Sequence, residues 1–267
     1  MTRTGSRRRD GTATTHTEEE RMDAYHGGGD FGARMRDRLE EVQRANADVL
    51  EEVAALLVER AVRGEGMVLV AGSGHSMIAV AEAFFRAGGL APVKPLYDPE
   101  LLPLHGAAAA TAAERRSGLA ERVLEGAGAD GRDLLFVFST SGVNPYPVEL
   151  ARGARGRGLP VVAFTSRACA AAAPRRADGT LAEEAGLVVD TLVDPGDAAY
   201  PWADPVTAPL SSLVNSYLWN LLLASVHDRV RKEGLEPPLW RSANMPGGDE
   251  ANQRFFSRYG PRVPELG

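Results

Sequence analysis

The sequence predicts an α/β fold: a three-layer α/β/α sandwich built on a parallel sheet, with a helical extension on its N-terminal side. Three observations predict it. Short apolar runs recur at 67–71, 133–138, 160–164 and 187–192 without the polar alternation of a half-solvated sheet. Amphipathic segments with helical spacing alternate with these runs, as a sheet covered on both faces requires. The first three runs also stop at small, hydroxyl-bearing residues: Gly72-Ser73-Gly74-His75-Ser76, Ser139-Thr140-Ser141-Gly142 and Thr165-Ser166.

The elements follow in chain order. Residues 1–21 are rich in Thr, Arg, Glu and Gly and carry almost no large apolar side chains, which predicts a disordered tail. His26-Gly27-Gly28-Gly29 is expected to interrupt any helix before Asp30, a candidate N-cap. Met35, Leu39, Val42, Val49, Val53, Leu56 and Leu57 then repeat at helical spacing as far as Arg63, and Gly64-Glu65-Gly66 closes the segment. Helices are predicted over 77–86, 148–157 and 209–232. The Ala-rich and charged stretch 101–123 favours helix without a clear register. Beyond Pro237-Pro238 the chain is rich in Gly, Pro, Asn and Arg, so 237–267 is expected to pack on the domain as a tail and 22–236 to form the domain proper.

Composition narrows the function. A net charge of −6 argues against a broad nucleic-acid surface, and an anion site in such a protein must rest on local amides and hydroxyls. One cysteine, Cys169, excludes an internal disulfide and suits a reducing compartment. No apolar run approaches the roughly 20 residues of a membrane helix, and no apolar stretch follows the basic Arg7-Arg8-Arg9, so the expected location is the cytoplasm. No His or Cys pair has metal-ligand spacing, and neither metal nor cofactor is expected.

The serine loops carry the chemistry. In an open parallel sheet, ligands bind beyond the carboxyl ends of the strands. Ser73, Gly74, Ser76, Ser139, Thr140 and Ser141 would offer amides and neutral hydroxyls to a phosphate there. Each loop alone is equally an ordinary helix cap, but two after neighbouring parallel strands favour a shared anion site. A dinucleotide fold is disfavoured, because Met77 stands where a Gly-x-Gly-x-x-Gly motif needs its third glycine.

Gly-Ser-Gly-His-Ser and Ser-Thr-Ser-Gly, about one βαβ unit apart, resemble the signature loops of the sugar isomerase (SIS) family over roughly 31–232. The resemblance implies a flavodoxin-like sandwich, commonly a homodimer with the N-terminal helices at its interface. The chain is similar to phosphoheptose isomerases at Ser139–Gly142, but Asn144 stands at their next phosphate serine. Ser141-Gly142-x-x-Pro145-Tyr146 is closer to N-acetylmuramic acid 6-phosphate etherases. The segment from Ser242 to Asn252 resembles a bacterial branch with little assigned chemistry.

Two carboxylates are candidates for acid–base work on a sugar. Glu82 follows the first loop among apolar neighbours, and either acts there or pairs with Arg86 at i+4. Glu114 precedes Ser141 by 27 residues, about the interval at which the etherases carry a catalytic glutamate; the alternative is a solvated charge beside Arg115 and Arg116. His75 either assists catalysis or bonds to backbone, while His105 is a candidate for entering a neighbouring subunit's site and His227 a structural residue. The histidine that binds metal in some phosphoheptose isomerases is replaced by Glu82. Ser166 is a sugar or phosphate contact or a helix cap, and Asn244, Asp249 and Asn252 close over the ligand or form a surface strap. The resemblance favours elimination from an amino-sugar 6-phosphate such as N-acetylglucosamine 6-phosphate, with aldose–ketose isomerisation or non-catalytic sensing of a sugar phosphate as the alternatives.

Overall fold

The computed structural model describes residues 27–267. The chain divides into two units, 1–37 and 38–267. Of the first, the described part is the start of helix α1 (Gly27–Ala45). The helix therefore runs back through the three glycines instead of starting at Asp30; glycine costs a helix about 1 kcal/mol per residue without forbidding it. The predicted tail, 1–21, lies outside the described residues.

In the second unit, α1 continues into α2 (Ala47–Leu57), which widens into a π-helical turn over Val58–Arg63. Asn46 sits at the junction, 1% exposed, donating to Val42 O and Asp190 O and accepting from Asp190 N, each at 2.8 Å. Five parallel strands follow: β1 (Val68–Gly72), β2 (Val93–Leu96), β3 (Leu134–Phe138), β4 (Val161–Thr165) and β5 (Leu187–Asp190), in the spatial order 2-1-3-4-5. Four of them are the apolar runs of the sequence. Strand β2 is an addition: Lys94 and Pro95 break its apolar run, which an edge strand tolerates because one side needs no ladder partner.

Helices cover both faces. On one, Leu69, Ala71, Leu135, Val137 and Ala163 pack against α4 (Ala107–Glu114), α5 (Leu119–Ala127), α6 (Pro145–Gly156) and α8 (Leu181–Glu184). On the other, Trp219 of α9 (Ser211–Lys232) meets Phe136 and Phe138 edge-on at 5.4 and 6.2 Å. Helices α2 and α3 (Met77–Ala83) complete that layer. Helix α3 stops at Ala83, three residues short of the predicted Arg86, because Phe84 adopts an extended conformation and Phe85 packs on Trp240.

Beyond Trp240 the chain forms a regular helix, α10 (Gly248–Tyr259), where the sequence suggests an irregular tail. Phe255, Tyr259 and Val263 enter the hydrophobic core, and Arg262 donates to both oxygens of the fully buried Asp133 at 2.9 Å. Asp133 also accepts from Met67 N at 2.8 Å, so the C-terminal segment is tied to the start of the central strands.

Candidate active site

The order 2-1-3-4-5 reverses direction between β1 and β3, and a sheet of this kind opens a crevice at that point. The register sets Gly72 opposite Phe138, so the loops that begin at Ser73 and Ser139 leave the sheet side by side. Both loops need their glycines. A Cβ on Gly72 would stand 2.8 Å from Ser76 O. Gly142 has φ +59° and approaches within 2.9 Å of the Thr165 hydroxyl at the ideal Cβ position.

These loops line a cleft of about 390 Å³, with Ser73, His75 and Ser76 on one side and Ser139, Thr140 and Ser141 on the other. Glu114 enters it from the C-terminal end of α4. Its Oε2 accepts from Ser73 Oγ at 2.8 Å and its Oε1 from Asn144 Nδ2 at 2.9 Å. Asn144 occupies the N-cap position of α6 but makes no cap, because its amide is engaged by Glu114 and, at 3.2 Å, by Arg176. Ser139 accepts from Gly142 N at 3.2 Å and braces its own loop. Cys169, Pro195, Gly196, Asp197 and Ser211 also line the cleft.

The other sequence candidates separate. Gly74, φ +58°, turns the first loop. Glu82 stands outside the cleft lining, paired with Arg86 and accepting from Asn220 at 3.3 Å; the buried side of α3 is carried by Met77, Val80 and Ala83. Ser166 is fully buried and caps helix α7 (Arg167–Ala172), accepting from Cys169 N at 3.0 Å and donating to Val193 O at 2.6 Å. Asn244 is exposed and outside the lining, and Asn252 binds both backbone groups of Arg241 at 2.9 Å, a structural pairing within the C-terminal segment. Tyr146 of the etherase-like motif is fully buried in the core. His105 and His227 are exposed and outside the lining.

Sequence reasoning missed Asp197, Ser211 and Arg176 as site residues. The Pro195-Gly196-Asp197 turn after β5 was the available signal. Asp197 has φ +53° and accepts from Leu210 N and Ser211 N at 3.0 and 2.8 Å, capping α9. Cys169, 6% exposed, directs its thiol to Val193 O, and burial raises its pKa. Among the described residues no group of three or more His, Cys, Asp or Glu side chains is placed to hold a metal ion.

Two serine loops converging at the switch point of such a sheet match the motifs read in the sequence. The SIS domain pattern matches residues 30–166. The chain belongs to the SIS domain family. It is 35% identical to the UPF0309 protein GK1441 of Geobacillus kaustophilus over 237 residues, covering 87% of this chain and 94% of that protein. It is equally 35% identical to the UPF0309 protein SCO4393 of Streptomyces coelicolor, over 91% of this chain and 98% of that one. Among solved structures, the SIS chain is similar in fold to the c3406 protein of E. coli CFT073, with TM-score 0.50, 15% identity and coverage of 79% of this chain and 93% of that one. Phosphoheptose isomerase GmhA from Neisseria gonorrhoeae aligns with TM-score 0.47 and 19% identity over 79% of this chain and 100% of that one.

Among the described residues, no helix is long and apolar enough to cross a membrane.

Proposed function

We propose that this SIS protein is a sugar-phosphate lyase that binds an amino-sugar 6-phosphate and eliminates water from N-acetylglucosamine 6-phosphate. The observation that carries the reading is Glu114, held in the cleft by Ser73 and Asn144 beside the Thr140 and Ser141 hydroxyls. The phosphate sits on the Ser139–Ser141 loop and the adjoining Ser73–Ser76 turn, where hydroxyls and amides bind it without a lysine. Glu114 removes the C2 proton of the open-chain aldehyde. The electron pair moves into the C2–C3 bond, and the C3 oxygen leaves as water with a proton delivered by His75, which lines the same cleft. Deprotonated Glu114 and protonated His75 are restored by exchange with solvent.

The second reading is aldose–ketose isomerisation. It is favoured by the position of Glu82 outside the cleft, since one carboxylate suffices to carry a proton between C1 and C2. The protein is further proposed to work as a cytoplasmic homodimer with no cofactor and no nucleic-acid partner. Incubation with N-acetylglucosamine 6-phosphate tests the assignment: an unsaturated product that absorbs in the ultraviolet and is lost in Glu114→Gln supports elimination. A ketose product supports isomerisation, and tight binding without turnover supports a sensor.

A further inference from the structure

Asp197 is a carboxylate in the cleft that neither proposed reaction uses. It lines the cleft together with Pro195, Gly196 and Ser211, in the loop that follows β5, whereas the serine loops follow β1 and β3. Its place is fixed from three directions: Leu210 N and Ser211 N bind Oδ1, and Ser211 Oγ donates to Oδ2 at 2.6 Å. The left-handed backbone at φ +53° is one that an aspartate tolerates better than most residues. The amino end of the 22-residue helix α9, which would otherwise attract an anion, is therefore already neutralised by the protein's own carboxylate. Among the described residues no lysine or arginine lines the cleft; His75 is the one side chain of that lining able to carry positive charge, and Arg176 meets the site through Asn144.

We infer that Asp197 is a charge filter that sets ligand specificity in the part of the cleft formed by the loop after β5. Resting on the placement of the phosphate at the serine loops, it admits sugar monophosphates whose remote end is a hydrogen-bond donor or a cation. It rejects those that carry a second anion. Oδ2 accepts one hydrogen bond from Ser211 and keeps lone-pair capacity for a hydroxyl, an amide N–H or an ammonium group. A ligand carboxylate brought to the same place would meet a like charge, with no lysine or arginine among the described residues of the lining to offset it. At the effective dielectric of a half-buried site, such a pair within about 8 Å separates affinities by roughly tenfold or more.

The test is a charge series on one ring: glucosamine 6-phosphate, N-acetylglucosamine 6-phosphate and N-acetylmuramic acid 6-phosphate, titrated calorimetrically at a pH where the free amine is protonated. The unmodified protein is expected to bind the first two and to bind the carboxylate-bearing third at least about tenfold more weakly than the second. Equal affinity for the second and third overturns the filter without any variant. Asp197→Asn retains an oxygen for the α9 amides; it is expected to gain about tenfold for the third ligand and to lose affinity for the first. A uniform shift of all three ligands overturns the proposal. Ser141→Ala separates the two layers of the argument. It is expected to weaken all three ligands alike, and binding that it leaves untouched removes the phosphate placement instead. Failure of all three to bind the unmodified protein overturns both.

Discussion

Ser73 Oγ donates to Glu114 Oε2 at 2.8 Å, joining the first residue beyond β1 to the last residue of α4. With Asn144 on the other oxygen, the carboxylate is oriented by two neutral donors and not by an arginine, an arrangement that positions a base without cancelling its charge. Glu114→Gln is expected to lower kcat on N-acetylglucosamine 6-phosphate by about 10²–10⁴-fold, while Glu82→Gln stays within about twofold because its partners lie outside the cleft. Steady-state assays of the two purified variants compare them directly. Equal loss in both would remove Glu114 from its proposed role.

Cys169 offers a reporter for the same cleft. Burial raises its pKa, so the thiol stays protonated at neutral pH and alkylates slowly. Because it lines the cleft, saturating sugar phosphate is expected to slow its reaction with iodoacetamide further, by about tenfold if the opened, reactive state excludes ligand. Mass spectrometry of the modified peptide over time measures this. An unchanged rate with bound ligand would place the ligand elsewhere.

The legible parts of this molecule were those in which local chemistry and fold agree. Four continuous apolar runs became four strands, and the two hydroxyl loops at 73–76 and 139–141 came to one cleft, because strand ends and tight turns are written in adjacent residues. Glu82 and Glu114 show what was not legible. Glu82 is a candidate for its apolar neighbours after the first loop and Glu114 for its interval to Ser141, but the helix face decides between them, and a seven-residue helix gives too few turns to assign one. Asp197 comes to the site through a turn after β5 and the start of α9, a tertiary fact with no periodic signature. Helix α10 was obscured by its Gly- and Asn-rich entry, although Phe255 and Tyr259 are spaced one turn apart and face the core.

The Arg262–Asp133 pair ties the segment after that C-terminal helix to the start of the central strands. Asp133 is fully buried and Arg262 is its one cationic hydrogen-bond partner among the described residues. Arg262→Ala leaves the carboxylate buried with only backbone donors and is expected to cost about 3 kcal/mol. Urea unfolding at neutral pH checks the value; a loss under about 1 kcal/mol would mean that the C-terminal segment contributes little through this pair.

A smaller electrostatic effect is expected beside it. The hydrogen bonds from the Arg132 guanidinium hold the Asp130 carboxyl at about 2, against an ordinary value of 3.8. A depressed carboxyl stabilises the fold fully above its unfolded pKa of about 4, and loses that contribution as pH falls toward 2. The pair is exposed, so solvent screening limits it to under about 1 kcal/mol. Arg132→Gln is therefore expected to be slightly less stable than the parent at pH 7. Its acid-unfolding curve should converge with the parent's at the acid end. A constant offset through that window would show that Arg132 acts by packing instead of charge.

Tyr146 tests whether the etherase-like motif is chemical or architectural in this chain. Its ring is fully buried among core residues, its hydroxyl meets no hydrogen-bond partner among the described residues, and burial raises its pKa. A phenol in that position costs desolvation without a compensating bond, and removing the oxygen keeps the ring's packing. Tyr146→Phe is expected to leave turnover unchanged and to raise stability by up to about 1 kcal/mol, read as a higher Tm with the same urea m-value. Loss of activity with unaltered Tm would instead mean that the hydroxyl reaches the cleft during the reaction.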